Sequence, residues 1–166
     1  KSAIRDDDPV FFIEHATLYQ VKGEVPDDED YLVPIGVSDV KREGKDVTIV
    51  SYSKMLQVAL EAADKLAEEG IEAEVIDLRS LRPLDTQPII ESVKKTNRLV
   101  VVEEGWRSFG IGAEISSTVA ELAFDHLDAP IRRVAQAEVP LPYNRHLEQL
   151  ALPQVEDVIK AAKDVL

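Results

Sequence analysis

The fold of this chain is decided by residues 47–83, which read VTIVSYSKMLQVALEAADKLAEEGIEAEVIDLRSLRP. The opening β-branched run predicts a buried strand, and we interpret Ser51 and Ser53 as hydroxyl caps of the helix that follows. Apolar residues then recur at helical spacing as far as Gly70, where a left-handed residue is expected to end the helix. A second strand over 73–78 completes a strand–helix–strand unit, whose strands should run parallel with a right-handed crossover.

The sequence on either side of this unit continues the alternation of strands and helices. Residues 38–42 are suited to an edge strand. Further downstream, the predicted elements are a helix that Asp85 or Thr86 caps and that reaches about Lys95, a strand over 99–102, a helix after the glycine loop 109–112, a strand over 131–134 and a last helix opened by Pro153. The inner faces of the last two helices are assigned to Ile115, Val119, Leu122 and Ala123, and to Val155, Val158, Ile159 and Ala162. This order indicates a layered α/β domain.

The first 36 residues have a different character. Residues 1–8 are interpreted as the tail of a helix followed by an acidic turn, and residues 10–13 as a fully apolar strand that ends at Glu14-His15. Such a strand needs cover on both faces, which nearby residues cannot supply, so we expect it to end a domain whose body lies elsewhere. Residues 16–36 contain glycines, prolines and the acidic run 27–30, and are predicted to be an interdomain linker. The acidic run lacks the spacing of a calcium loop.

Composition limits the possible functions. The 166 residues suffice for one domain, or for one domain and part of another. A net charge of −13 argues against a nucleic-acid partner, and is compatible with a basic protein partner or with a solvated acidic surface. The chain has no cysteine, which excludes disulfides and thiolate metal sites. No apolar run approaches the roughly 20 residues of a membrane span, and we expect no signal peptide.

Few residues form a pattern that carries chemistry. The three histidines (His15, His126 and His146) are far apart, and we interpret His126 as part of a surface loop. The amides around Gly110 and Gly112 could bind an anion, but the third glycine of a dinucleotide fingerprint is missing, so close strand–helix packing is the favoured interpretation. Glu103 and Glu104 follow a strand, where open α/β sheets place their sites, but adjacent residues of an extended segment point apart.

Nine motifs together make the sequence familiar. They are DPVFFIE (8–14), LY (18–19), VTIV (47–50), EVIDLRSLRPLD (74–85), KT (95–96), VEEGW (102–106), GIGAEI (110–115), LDAP (127–130) and VPLPY (139–143). With these motifs the chain resembles the beta subunits of the thiamine-diphosphate-dependent 2-oxoacid dehydrogenases, those of pyruvate dehydrogenase in particular. The resemblance covers nearly the whole chain, which corresponds to the second half of such a subunit.

The resemblance implies a fold and a division into domains. The fold would be α/β, a three-layer transketolase C-terminal-like domain over 37–166. Its five-stranded, mostly parallel mixed sheet would carry helices on both faces and have its first strand antiparallel to the rest. Residues 1–15 would be the C-terminal remnant of the pyrimidine-binding domain, and 16–36 the linker between the two.

The resemblance also implies an activity of the complete enzyme, in which alpha and beta subunits decarboxylate pyruvate and acetylate lipoyl groups within a multienzyme complex. In that family the glutamate that activates thiamine diphosphate lies in the first half of the beta subunit, and the alpha subunit holds the diphosphate and its magnesium. We therefore expect no catalytic, cofactor-binding or metal-binding residue in this chain. By itself it should be inactive and bind no thiamine diphosphate.

The partners implied by the resemblance are the alpha subunit, a second beta subunit and the small basic subunit-binding domain of the dihydrolipoyl acyltransferase. The residues that would contact this domain are Asp128 in the LDAP loop, Phe124 nearby and Leu166 at the end of the chain. A carboxylate at the start of a loop can pair with an arginine of this domain. The net charge of −13 would then be complementary to the basic charge of the domain. The alternative is that Asp128 caps a helix end before Pro130.

Several alternatives stay open. The chain could come from a branched-chain 2-oxoacid or acetoin dehydrogenase, although the segment LPYNRHLE (141–148) favours pyruvate. It could serve only as an assembly and docking module, or be an unrelated nucleotide-binding domain that uses residues 110–112. We expect a cytoplasmic location in a bacterium and the mitochondrial matrix otherwise, with no nucleic-acid or membrane partner.

Overall fold

The computed structural model describes residues 1–166 and contains one sheet flanked by helices. In chain order the elements are α1 (Ser2–Arg5), β1 (Asp39–Arg42), β2 (Val47–Ser51), α2 (Lys54–Glu68), β3 (Ala73–Asp77), α3 (Gln87–Thr96), β4 (Leu99–Trp106), α4 (Ile111–Ala123), β5 (Arg132–Gln136), α5 (Arg145–Ala151) and α6 (Val155–Lys163). Short 3-10 helices cover Ala16–Gln20 and Phe124–His126.

The strand order in the sheet is β1-β3-β2-β4-β5. The pairs β2–β3, β2–β4 and β4–β5 are parallel, and β1 lies antiparallel to β3 at one edge. The register of β2 and β3 runs without a break from Val47 opposite Ala73 to Ser51 opposite Asp77. The predicted parallel strand–helix–strand unit and the five-stranded mixed sheet are therefore confirmed.

Helices cover both faces of the sheet. Ile49 and Val75 pack with α2 and α6 on one face, whereas Val50 and Ile76 pack with α3 and α4 on the other. All five residues of β2 are buried, since this strand has a neighbour on each side and a helical layer on each face. A strand in this position reads as a continuous apolar run, and this explains why 47–50 shows no polar alternation.

The hydroxyl and carboxyl groups assigned as helix caps have other roles. Ser51 Oγ donates to the carbonyl of Val102 across the sheet at 3.0 Å. Ser53 occupies the N-cap position of α2 with a φ of 54°, and its side chain makes no capping hydrogen bond. Thr86 precedes α3 without a side-chain cap, while the Asp85 carboxylate accepts hydrogen bonds from the amide and the hydroxyl of Ser38. Ser53 and Thr86 therefore hold the predicted N-cap positions without the predicted capping hydrogen bonds, and Ser51 and Asp85 bond to other elements instead.

Two helix assignments also need correction. In α4 the buried stripe follows a spacing of four through Ile115, Val119 and Ala123, so Leu122 lies on the solvent side and is 59% exposed. The short helix α5 was not predicted, because the prolines before it suggested an extended segment.

In α6 the predicted inner face is confirmed: Val158 and Ala162 are buried, and the other two residues pack against the same core.

The strand predicted over 10–13 is not formed. These residues pair with none of the five strands, and Phe11 is 92% exposed. A strand needs a neighbour that satisfies its peptide groups, and this chain offers none. The short helix α1 agrees with the predicted helix tail before the acidic turn.

None of the helices combines the length and hydropathy that a membrane span would need.

Candidate functional site

The strand order creates a topological switch point between β2 and β4. The chain leaves β2 towards β3 on one side and returns to β4 on the other. Open α/β sheets bind ligands at the carboxyl ends of the strands beside such a point. The residues found there are Tyr52, Glu103 and Glu104, with the glycine loop before α4.

Glu103 lies beneath the start of α4 and is 1% exposed. Its Oε1 accepts a hydrogen bond from the amide of Gly112 at 3.1 Å, and its Oε2 has no partner. Burial raises the pKa of Glu103, and the Gly112 amide, the charge of Arg133 and the Ile111 amide offset part of this rise. The carboxyl group thus takes the position at a helix N-terminus where an external anion could bind.

The two glycines make this close approach possible. A Cβ atom on Gly112 would lie 2.5 Å from Oε1 of Glu103, and one on Gly110 would lie 2.7 Å from both carboxyl oxygens. The predicted role of these glycines in close strand–helix packing agrees with this geometry. The nucleotide-binding alternative loses its support, because the Glu103 carboxyl group already fills the position that a phosphate would take.

The neighbouring carboxylate points elsewhere, as expected for adjacent residues of a strand. Glu104 Oε2 lies 2.9 Å from Nε2 of His15, which comes from the segment before the linker. The other ring nitrogen of His15 accepts from the Thr17 hydroxyl at 2.8 Å and from the Thr17 amide, so Nε2 carries the proton that is donated to Glu104. Sequence reasoning missed this contact, since the residues are 89 positions apart and share no motif.

Tyr52 completes the group at the switch point. Burial raises its pKa to about 12, and the negative charges of Glu103 and Glu104 add to the effect. A tyrosine in this state is a neutral hydroxyl at physiological pH and does not act as a base. Tyr52, Glu103 and Glu104 therefore form no activated acid–base pair. Their contacts stabilise this end of the sheet and, through His15, the segment before the linker.

The predicted partner-binding residues lie at the opposite edge, around the amino ends of the strands. The Asp128 carboxylate is 62% exposed and lies 3.9 Å from Nη2 of Arg98, whose Nε donates to the carbonyl of Val165 at 2.8 Å. Arg98 thus links the LDAP loop to the end of the chain. Phe124, in the 3-10 helix before this loop, and Leu166 are both exposed. The Asp128 carboxylate accepts no hydrogen bond within the chain, so the capping alternative gains no support.

The remaining candidate residues are not brought together. His126 and His146 are exposed on different elements, and no group of three histidine or acidic side chains is arranged to hold a metal ion.

Residues 36–158 match the family described as "Transketolase, C-terminal domain". The chain belongs to this family. The match covers all five strands and ends within α6.

The relatives in sequence are beta subunits of one enzyme component. The chain is 55% identical to the mitochondrial pyruvate dehydrogenase E1 component subunit beta of Dictyostelium discoideum, over 99% of this chain and 47% of that protein. It is 55% identical to subunit beta-1 of Arabidopsis thaliana, over 98% of this chain and 46% of that protein, and 53% identical to the Rickettsia felis subunit, over 99% and 50%. The chain therefore spans about half the length of the curated relatives it matches.

Solved structures give the same fold. A split-gene transketolase, described as an inactive beta4 tetramer, superposes with a TM-score of 0.72 at 33% identity, over 86% of this chain and 46% of that one. A 2-oxoglutarate:ferredoxin oxidoreductase from Magnetococcus marinus superposes with a TM-score of 0.53 at 16% identity, over 77% of this chain and 19% of that one. The second likeness concerns the fold alone.

Proposed function

We propose that this chain is the C-terminal part of the beta subunit of a pyruvate dehydrogenase. With its alpha subunit, the complete enzyme would decarboxylate pyruvate and transfer the acetyl group to lipoyl groups of a dihydrolipoyl acyltransferase. The observation that carries the proposal is the identity of 52–55% along almost all of the chain to beta subunits from plants, a slime mould, an insect and bacteria. These relatives favour pyruvate dehydrogenase over the branched-chain and acetoin alternatives.

The division of the chain follows the same proposal. Residues 1–15 would end the pyrimidine-binding domain, 16–36 would be the linker, and 37–166 would form the C-terminal domain. The exposed apolar residues Phe11, Phe12 and Ile13 support this division, because a solvent-exposed run of this kind is stable only when another sheet or layer covers it.

Thiamine diphosphate and magnesium belong to the complete enzyme in this proposal. The residues of this chain do not fit a diphosphate: the amides at the start of α4 face the Glu103 carboxyl group, which would repel a second anion. The chain would instead position the rest of the beta subunit and its partners. A pure assembly module remains the second candidate, and the related split-gene transketolase, described as an inactive beta4 tetramer, favours it.

Reconstitution tests this proposal. The full beta subunit that contains this chain, mixed with its alpha subunit, is expected to oxidise pyruvate in preference to branched-chain 2-oxoacids and acetoin, and this chain alone should show no turnover. A reconstituted enzyme without 2-oxoacid turnover would favour the assembly module. Preference for a branched-chain acid or acetoin would contradict the assignment to pyruvate. Calorimetric titration of the isolated chain with thiamine diphosphate should give no heat of binding.

We place the docking of the acyltransferase at the amino edge of the sheet. Asp128, exposed and weakly held by Arg98, is available to an arginine of the basic subunit-binding domain, and Phe124 and Leu166 offer apolar contacts beside it. The second beta subunit would lie across a twofold axis at this edge. Truncating one partner of a charged pair that is buried in an interface mainly raises the dissociation rate of the complex. The fold of the chain should stay unchanged.

Asp128→Ala is therefore expected to weaken binding of the subunit-binding domain by about 10- to 100-fold, since hydrogen bonds to charged groups contribute about 1.5–3 kcal/mol. Asp125→Ala is the matched control, because it removes the same charge from an exposed residue three positions earlier, in the 3-10 helix that precedes the LDAP loop. We expect it to change affinity by less than about twofold. Equal effects of both variants at constant salt would reduce the contact to general electrostatics and contradict the assignment.

A further inference from the structure

The turn between α3 and β4 consists of Asn97 and Arg98, and it contacts the start of the LDAP loop. Asn97 has a φ of 61°, a left-handed conformation that asparagine adopts more readily than most residues. Its Nδ2 donates to the carbonyl of His126 at 2.8 Å, and its own carbonyl accepts from the amide of Asp128 at 2.9 Å. Asn97 therefore fixes the backbone of the loop on both sides of Leu127.

Arg98 connects this loop to the tail that follows α6. Its Nε donates to the carbonyl of Val165 at 2.8 Å, and its Nη1 donates to the carbonyl of Thr96 at 3.3 Å. These two bonds orient the planar guanidinium group, so that Nη2 lies 3.9 Å from the Asp128 carboxylate. This distance exceeds that of a hydrogen bond, so charge attraction restrains the Asp128 side chain while its oxygens stay open to another donor.

The turn is anchored in the core by a cluster of buried hydroxyl groups. Thr48 Oγ1 lies 2.6 Å from Ser92 Oγ and 2.7 Å from Thr96 Oγ1, and all three residues are buried. The carbonyl of Arg98 accepts from the Thr96 hydroxyl at 3.1 Å and from the Thr48 amide at 2.9 Å. Networks of buried, hydrogen-bonded polar groups rigidify their surroundings, so the backbone of Arg98 has a fixed position.

The consequence is that two separate segments are held in one arrangement. Asp128 precedes β5, whereas Val165 and Leu166 follow α6, and Arg98 contacts both segments from a third place in the chain. Groups that are already ordered lose less conformational entropy when a partner binds them. A turn of this kind can therefore raise affinity for a partner without contacting it.

We propose that Asn97 and Arg98 are positioning residues of the docking surface, which hold Asp128 and the tail of α6 in the geometry that the basic subunit-binding domain recognises. The inference rests on the docking at Asp128 proposed above. Asn97 acts on the loop backbone, and Arg98 acts on the Asp128 side chain and on the tail.

Binding of the subunit-binding domain to the assembled alpha and beta subunits, measured by surface plasmon resonance at fixed ionic strength, tests this role. Arg98→Gln is expected to weaken binding by about fivefold to tenfold, because Asp128 and the tail must then be ordered by the partner. Arg98→Lys keeps the charge but lacks the planar fork, and should recover little of the lost affinity. Combined with Asp128→Ala, Arg98→Gln should weaken binding by no more than about threefold further, since only its effect on the tail remains.

Arg42→Gln is the matched control for general loss of stability. Arg42 is 26% exposed against 25% for Arg98, it also pairs with carboxylates, and it lies on β1, which two strands separate from β4. We expect this variant to change affinity by less than about twofold.

Asn97→Gly is a second variant, which keeps the left-handed backbone and removes only the bond to the His126 carbonyl. It should weaken binding by about threefold. Amide hydrogen exchange over residues 126–129 should be faster than in the parent beta subunit, also without the partner. This variant decides the question if Arg98→Gln does not assemble with the alpha subunit.

The outcomes separate this inference from the docking assignment. If Asp128→Ala weakens binding but Arg98→Gln and Asn97→Gly do not, the positioning role is overturned and the docking assignment stands. If Asp128→Ala has no effect, both are overturned. Tighter binding by Arg98→Gln would show that the guanidinium group merely repels the partner, and full affinity of Arg98→Lys would reduce its role to charge; either result contradicts the proposal.

Discussion

Replacing Gly112 by alanine tests whether Glu103 occupies the start of α4. The added methyl group would lie 2.5 Å from Oε1 of Glu103 and 3.3 Å from a methyl group of Val101. The carboxyl group cannot move aside easily, because Glu103 is fully buried and a Cβ on Gly110 would meet its oxygens just as closely. Either the helix moves away from β4 or the hydrogen bond from the Gly112 amide is lost.

The structure sets the size of the effect. Overpacking of this kind costs about 1–3 kcal/mol, and weakening a hydrogen bond to a charged group costs about 1.5–3 kcal/mol. Alanine regains up to about 1 kcal/mol from its higher helix propensity. We therefore expect Gly112→Ala to lower the free energy of unfolding by about 2–4 kcal/mol.

Urea denaturation followed by circular dichroism measures this change, and an unchanged m-value would show that the unfolded state is unaffected. Gly105→Ala is the matched control, since a Cβ there meets no atom within 4 Å, and it should change stability by less than about 0.5 kcal/mol. Adding Glu103→Ala to Gly112→Ala should recover part of the loss. Equal stability of the two glycine variants would refute the proposed packing.

Three further predictions concern stability. Burial raises the pKa of Glu103 above its ordinary value of 4.5, so the native state loses stability as the pH rises from 4.5 through the raised pKa. The Glu103→Gln variant has no group that titrates there, so its stability relative to the parent protein should increase over this pH range. Urea denaturation at a series of pH values measures the difference. Burial of Glu74 opposes its ionisation, but the hydrogen bond from Lys95 and neighbouring donors outweigh this effect and lower its pKa, so the pair stabilises the fold above pH 4.5 and loses this effect in acid. Lys95→Gln should lower the free energy of unfolding by only about 1–2 kcal/mol at neutral pH, because Lys95 is partly exposed. The loss should be smaller in acid, where Glu74 is protonated in both variants. Asp85→Ala removes the acceptor for the Ser38 amide and hydroxyl, and should accelerate hydrogen exchange at the linker end; unchanged exchange would mean that other contacts hold it.

Local patterns predicted the elements but not the roles of individual polar side chains. Helical spacing correctly placed α2 and its end at Gly70, which has a φ of 84°. The same reasoning failed for Ser51 and Ser53, because a hydroxyl group can hydrogen-bond to any nearby peptide, and Ser51 uses a carbonyl of β4. Leu122 was misplaced for a related reason: periodicity defines a helix face only to within one residue.

The sequence by itself determined the alternation of strands and helices, the parallel direction of the two strands joined by α2, and membership of the transketolase C-terminal domain family. Those properties follow from side-chain periodicity and from motifs spread along the whole chain. Only the tertiary structure decided that Glu103 fills the start of α4, that His15 pairs with Glu104, and that Arg98 joins Asp128 to the end of the chain. These contacts connect residues between 9 and 89 positions apart, and they depend on which strands become neighbours in the sheet. Packing against distant elements sets that order, and no local sequence pattern encodes it.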